Sequence, residues 1–254
     1  MEPPRSASTF LAEARRWSSV DAAFVTPDED VCVVIPMFNE ALVIGGVVAE
    51  LRARFRHVLC VDDGSTDESA ARALEAGATV MKHPTNMGQG AALQTGLSFL
   101  LRDPRFQYFV TFDADGQHLV GDASAMLEEA RRTGVDVILG SRFLQRGAGV
   151  PRARRVLLRG AVAFTRLTTG MRLTDAHNGL RVISRRAAST IDLRLSGMAH
   201  ASEIITQIGK QKLSCREFPV TIRYTEYSRR KGQSNINALN IAFDVLAERV
   251  RGHA

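Results

Sequence analysis

From Val31 onward, short apolar runs alternate with segments whose apolar residues recur at helical spacing, and several runs stop on polar or acidic turns. This alternation constrains the fold more than any other feature, because short buried strands joined by covering helices build a parallel, doubly wound α/β sheet. Strands are predicted from Val31 to Ile35, His57 to Val61, Ala78 to Met81, Tyr108 to Phe112, Val135 to Leu139 and Cys215 to Tyr224. Ile44, Val47, Val48 and Leu51 mark one covering helix, and Ser65-Thr66-Asp67-Glu68 reads as the N-terminal cap of the next. A further helix is expected around Ala201 to Lys210. Residues 1–29, with Pro3-Pro4 and a polar stretch from Ser6 to Thr9, read as a poorly ordered leader, and 30–254 as a single domain.

In sheets of this kind ligands bind beyond the carboxyl ends of the strands. Asn39, Asp62, Asp63, Asp113 and Asp115 all fall there. Asp113-Ala114-Asp115 leaves the run from Tyr108 to Phe112 as two carboxylates separated by one small residue. Such a step can hold a divalent cation against a diphosphate, which points to a nucleotide-dependent transferase. Pro36, Phe38, Asn39 and Glu40 give a rigid turn, a stacking face and hydrogen-bonding groups suited to a nucleoside, and Asp62 and Asp63 can take base or ribose donors. Ordinary turn and capping chemistry accounts for each of these turns equally well. Asn86 to Ala92 opens another helix with two glycines, whose backbone N–H groups suit either an anion or close helix–sheet packing.

A net charge of +6 favours anionic partners: a nucleoside diphosphate, a lipid phosphate or a membrane surface. The arginine-rich stretch from Arg142 to Arg194 has no recognition-module signature and few aromatics, which argues against nucleic acid. No run approaches the roughly 20 apolar residues of a membrane span, and no secretory signal opens the chain, so a cytoplasmic location is expected. Cys32, Cys60 and Cys215 lie in or beside apolar runs and read as reduced core thiols. Two segments have membrane-facing potential. Arg152, Arg154, Arg155 and Arg159 interleave with Val156 to Phe164 as a basic amphipathic helix, and a second apolar pattern runs from Ile236 to Val250.

Taken together, IPMFNE, VDDGSTDES, NMGQGAALQTG, FDADGQH, GSRF, TDAHNGLR and SRRKGQSN resemble, in order and approximate spacing, the family 2 glycosyltransferases of the GT-A fold. Within that family the chain is most similar to dolichyl- and polyprenyl-phosphate mannosyl or glucosyl synthases, over about Val31 to Asn240. The resemblance implies a Rossmann-like, mostly parallel sheet, a nucleotide-sugar donor, Mg²⁺ or Mn²⁺, and inversion at the anomeric carbon. It puts Pro36, Phe38, Glu40 and Asp63 on the nucleoside, and Asp113, Asp115 and Gln117 around metal and diphosphate. Arg142 faces the phosphates, with Arg229 and Lys231 in a basic loop over the donor. Asp175 falls in the acceptor region as one candidate general base, and Glu203 or His200 can act on the acceptor or support the metal. His118, beside the metal motif, is either a site or a structural residue. The chain departs from the mannosyl synthases at His177-Asn178-Gly179-Leu180-Arg181, where they more often show Ser/Thr-Gly-Phe-Arg.

The sequence therefore reads as a metal-dependent, inverting transferase that moves a hexose from a GDP- or UDP-sugar to polyprenyl phosphate, peripheral on the cytoplasmic face of the membrane. The alternatives are an enzyme of the same fold with a saccharide acceptor and a non-catalytic nucleotide-sugar binding protein.

Overall fold

The computed structural model describes residues 29–144, 173–195 and 199–224. The predicted leader lies outside them, apart from Glu29. So do the basic helix from Arg152 to Phe164, the Arg229 and Lys231 loop, and the apolar pattern after Ile236.

The first half is the expected alternation. Strand β1 (Val31–Met37) leads to helix α1 (Ile44–Arg52), β2 (His57–Asp62) to α2 (Ser69–Glu75), and β3 (Thr79–Lys82) to α3 (Gln89–Leu100). Strand β4 (Tyr108–Thr111) then feeds α4 (Val120–Thr133) and β5 (Val137–Ser141). The remaining elements are β6 (Arg181–Ser184), a short α5 (Arg185–Ala188), α6 (Ala199–Lys210) and β7 (Cys215–Pro219). All seven residues of β1 are buried, as a central strand covered on both faces requires. Ile44, Val47, Val48 and Leu51 form the buried face of α1, each such side chain contributing about 1.5–3 kcal/mol of burial.

The seven strands form one sheet in the order β3-β2-β1-β4-β6-β5-β7. β1 pairs in parallel with β2 and β4, β2 with β3, and β5 with β7. β6 runs against its neighbours β4 and β5. Two apolar layers sandwich the sheet. One gathers α1 and α4 residues such as Leu51 and Met126, and the other gathers α3 and α6 residues such as Leu97 and Ile205. α3 packs so tightly that a Cβ on Gly96 would lie 2.6 Å from Val34 Cγ1.

Three elements escape the sequence reading: α4, β6 and α5. β6 is only four residues long and opens on an arginine, so neither length nor hydropathy announces it. The predicted strand from Cys215 to Tyr224 is shorter than expected. It leaves β5 at Pro219, which lacks an N–H for the ladder, and then crosses the loop that follows β4. There His118 bridges Ile222, and Arg223 N–H donates to Gln117 O at 2.8 Å. The three cysteines are free thiols.

Candidate active site

The carboxyl ends of β1, β2 and β4 and the start of β6 border a cleft of about 420 Å³. Pro36, Phe38, Glu40 and Asp63 line one end, and Asp113, Ala114, Asp115 and Gln117 the floor. Arg142, His177, Asn178, Gly179, Arg181 and His200 complete the wall. The structure thus gathers most of the residues expected at one edge, but it uses several of them differently.

The turn after β1 is clamped by the turn after β2. Asn39 takes a left-handed φ of 54°, and its N–H donates to Ser65 Oγ at 2.9 Å. Its side-chain oxygen accepts from Thr66 N–H at 3.0 Å, while Glu40 N–H donates to Ser69 Oγ at 2.7 Å. Asn39 therefore shapes the turn and is absent from the cleft lining. Phe38, 41% exposed, presents its ring at the cleft.

Asp62 and Asp63 diverge, because neighbouring residues leaving a strand point to opposite sides. Asp62 is fully buried and accepts from Ser65 N–H at 2.9 Å with Lys82 Nζ 3.5 Å away, so it holds the turn and is absent from the cleft lining. Asp63 does line the cleft, but its carboxylate staples the loop before α3. It accepts from Met87 N–H at 2.9 Å and Gly88 N–H at 2.7 Å, and it bonds His83 Nδ1 at 2.8 Å.

The D-x-D step is asymmetric. Asp113 Oδ2 meets His118 Nε2 at 2.9 Å, and Asp113 Oδ1 accepts from Gln89 Nε2 at 3.1 Å. Gly179 sits against the same carboxylate, where any Cβ would collide with it. Against the cost of burial, the hydrogen bond and charge of His118, with Arg181 behind, hold Asp113 below the usual carboxylate range. Asp115 behaves oppositely: burial and the adjacent Asp113 charge push it up to about 6. Its Oδ1 accepts from Gln117 N–H at 3.0 Å. A carboxylate destabilised in this way is suited to a cation. Among the described residues no cluster of three or more His, Cys, Asp or Glu could enclose one. The donor set fits an ion such as Mg²⁺ held by one or two carboxylates and completed by diphosphate oxygens and water. Asp115 would be the direct ligand in such an arrangement. Asp113, expected beside it, is already engaged by His118 and Gln89, and Gln117 lines the floor.

Arg142 and Asp175, expected on phosphate and acceptor respectively, are bound to each other. Arg142 Nε and Nη2 donate to the two Asp175 oxygens at 2.6 and 2.7 Å, and Arg142 N–H adds a third bond at 3.1 Å. Burial works against the carboxylate, yet Arg142 holds Asp175 below its ordinary range. Glu217 on β7 fixes this turn by accepting from the N–H groups of Thr174 and Asp175. Asp175 is therefore poorly placed to take a proton, since its lone pairs already face a cation. Glu203 is likewise committed, accepting from Arg194 N–H at 3.1 Å and Leu195 N–H at 3.0 Å in the loop that precedes α6, and it does not line the cleft.

Sequence reasoning gave no role to Gln89, His177, Asn178 or Arg181, although the motifs containing them were in view. The signal for Asn178 and Arg181 is the run Asn178-Gly179-Leu180-Arg181 itself, since an arginine that opens a buried strand must face something polar. His177 bonds Ser202 Oγ through Nε2 at 3.3 Å, and burial lowers its pKa to about 4.

A mostly parallel seven-stranded sheet with one reversed strand, closing a nucleotide-sized cleft over a D-x-D step, defines the GT-A class of glycosyltransferases. Residues 32–192 match the profile described as "Glycosyl transferase family 2", and the chain belongs to that family. It is 33% identical over 228 residues to "Uncharacterized protein MJ1222" of Methanocaldococcus jannaschii, covering 87% of this chain and 93% of that one. It is 30% identical to "Polyprenol monophosphomannose synthase" of Mycolicibacterium smegmatis, covering 94% of each. The fold is shared with glucosyl-3-phosphoglycerate synthase from Mycobacterium tuberculosis, solved with phosphoglyceric acid, at a TM-score of 0.64 and 18% identity, covering 97% of this chain and 85% of that one. That synthase has also been solved with Mn²⁺, UDP-glucose and phosphoglyceric acid together.

Proposed function

We propose that this protein transfers a hexose, with inversion, from a GDP- or UDP-sugar to a polyprenyl phosphate, with Mg²⁺ or Mn²⁺ at Asp115. One observation carries the reading: both carboxylates put forward for deprotonating an acceptor, Asp175 and Glu203, are already committed to Arg142 and to backbone N–H groups. A sugar hydroxyl needs a base within hydrogen-bond reach, whereas a phosphate oxygen is anionic at neutral pH and attacks without one. The relative named as a polyprenol monophosphomannose synthase supports the same acceptor.

In this reading Phe38 stacks the nucleoside, with Pro36 and Glu40 shaping the pocket around it. Asp115 carries the cation, whose chemistry is to neutralise charge on the departing nucleoside diphosphate. Asp175 orients Arg142, leaving the remaining guanidinium N–H groups for phosphate oxygens. Arg229 and Lys231, which lie outside the described residues, would contact the donor phosphates. The acceptor would lie at the cytoplasmic face of a membrane, and among the described residues no helix is long and apolar enough to cross one.

The test is a transfer assay with GDP- and UDP-hexoses, Mn²⁺ and farnesyl phosphate. The expected product is an acid-labile, solvent-extractable glycosyl phosphate. Sugar appearing only in a saccharide, with loss of activity in His200→Gln, would overturn the reading. His200 lines the cleft at the first turn of α6 and is the residue on which a hydroxyl acceptor would depend.

A further inference from the structure

We propose that Asn178 and Arg181 form a donor-lined recess that receives the phosphate monoester of the acceptor; this rests on the phosphate-acceptor reading above. Both residues line the cleft, yet they are only 4% and 1% exposed. Among the described residues, Asn178 Nδ2 and Arg181 Nη1 are buried nitrogens without a hydrogen-bond partner. Buried donors are almost always satisfied, so two in one wall of a cleft call for a ligand.

The chemistry of that ligand follows from what surrounds them. The neighbouring oxygens are in use: those of Asp113 by His118 and Gln89, and those of Asp175 by Arg142. Asn178 Oδ1 accepts from Leu180 N–H at 2.9 Å, and Gly179 O accepts from Thr111 Oγ1 at 2.6 Å. A sugar hydroxyl would find donors here but no ready acceptor for its own proton, whereas a phosphate oxygen only accepts. Arg181 also makes no ion pair among the described residues, and burial lowers its pKa to about 10, with Asp113 and Asp175 opposing the shift. A buried cation without a contacting anion is costly, and a phosphate offsets that cost. The first turn of α6, a helix of 12 residues, borders the same cleft through His200 and Ala201 and adds its positive end.

An inverting displacement places the entering and departing oxygens on opposite sides of the anomeric carbon, so a diphosphate held with Asp115 on the β4 loop and an acceptor phosphate in the recess of Asn178 and Arg181 would take different parts of the one cleft.

The decisive variant is Asn178→Asp, which keeps the acceptor for Leu180 N–H and replaces the donor with an anionic oxygen. Binding of farnesyl phosphate, 3-phosphoglycerate and UDP with Mn²⁺ would be measured by calorimetry on wild type and variant. Monoester affinity is expected to fall about tenfold or more while UDP affinity stays within about twofold. Asn178→Ser, which retains a hydroxyl donor, should keep monoester binding within about threefold of wild type. Unchanged monoester binding in Asn178→Asp, or a loss confined to UDP, overturns the proposal. If wild type binds 3-phosphoglycerate in an Asn178-dependent way but not farnesyl phosphate, the recess stands and the polyprenyl acceptor falls. Wild type that binds neither overturns both. Should Asn178→Asp fail to fold, a wild-type co-crystal decides: a monoester phosphate bound out of reach of both Asn178 Nδ2 and Arg181 Nη1 overturns the proposal.

Discussion

Asp175 and His177 lie two residues apart, and their surroundings tune them for opposite charge states. Asp175 is ionised because Arg142 grips it through both prongs. Asp175→Asn should leave a buried arginine without its counter-ion and cost about 3 kcal/mol of stability. It should also lower transfer at least about tenfold by releasing Arg142, yet keep the acidic limb of the kcat/KM profile, because a residue that orients a cation does not titrate as a base. Loss of that limb with stability intact would reinstate Asp175 as the base. His177 is neutral because burial depresses its pKa from 6.5 to about 4. The unfolded chain then binds a proton near pH 6.5 and the folded chain only near pH 4, so protonation favours unfolding between those values. Stability is complete above about pH 6.5 and falls as the pH drops toward 4. His177→Gln should flatten this part of the melting-temperature profile, and an unchanged slope would assign the acid sensitivity elsewhere. None of this was legible in TDAHNGLR, because sequence supplies the residue types but not which carboxylate each cation selects.

Apart from α4, the helices and strands of the first half were legible because they obey a single period: seven buried residues in β1, and Ile44, Val47, Val48 and Leu51 along α1. β6 obeys none, since its place in the sheet comes from pairing with β4 and β5 and its leading residue is a buried arginine. The polar turns were legible as a group, but Asn39 and Asp62 turned out to brace the turns, because backbone direction at a strand end decides which side chain faces the ligand. α3 offers a direct test of packing against propensity. Gly96→Ala gains about 1 kcal/mol of helix propensity, but the new methyl meets Val34 Cγ1 and Val61 Cγ2. Overpacking costs about 1–3 kcal/mol, so packing should prevail and chemical denaturation should show a net loss of about 1 kcal/mol. A stabilised variant would mean that α3 can slide on the sheet.

For the molecule as a whole, a cation and a nucleotide should act as one ligand, since among the described residues the cleft offers Asp115 but no closed cluster of His, Cys, Asp or Glu around a cation. UDP or GDP at about a hundred times its Kd should add about 2.7 kcal/mol of stability with Mn²⁺ present. In a chain of this size that corresponds to a rise in Tm of about 5–10 °C by scanning fluorimetry, and EDTA should abolish most of it. A nucleotide shift indifferent to EDTA would remove the metal from Asp115. The reversed strand has one more consequence. β5 ends at Ser141 on the cleft rim and β6 begins at Arg181 on that same rim, so the 39 residues between them depart and return at a single edge of the sheet. The spacing of the strands sets no length for that excursion. On the proposed reading, an engineer who exchanged residues 142–180 between relatives as a cassette would reset which acceptor is taken while β1, β2 and β4 keep the donor. Evolution could diversify acceptors in this family by the same cut.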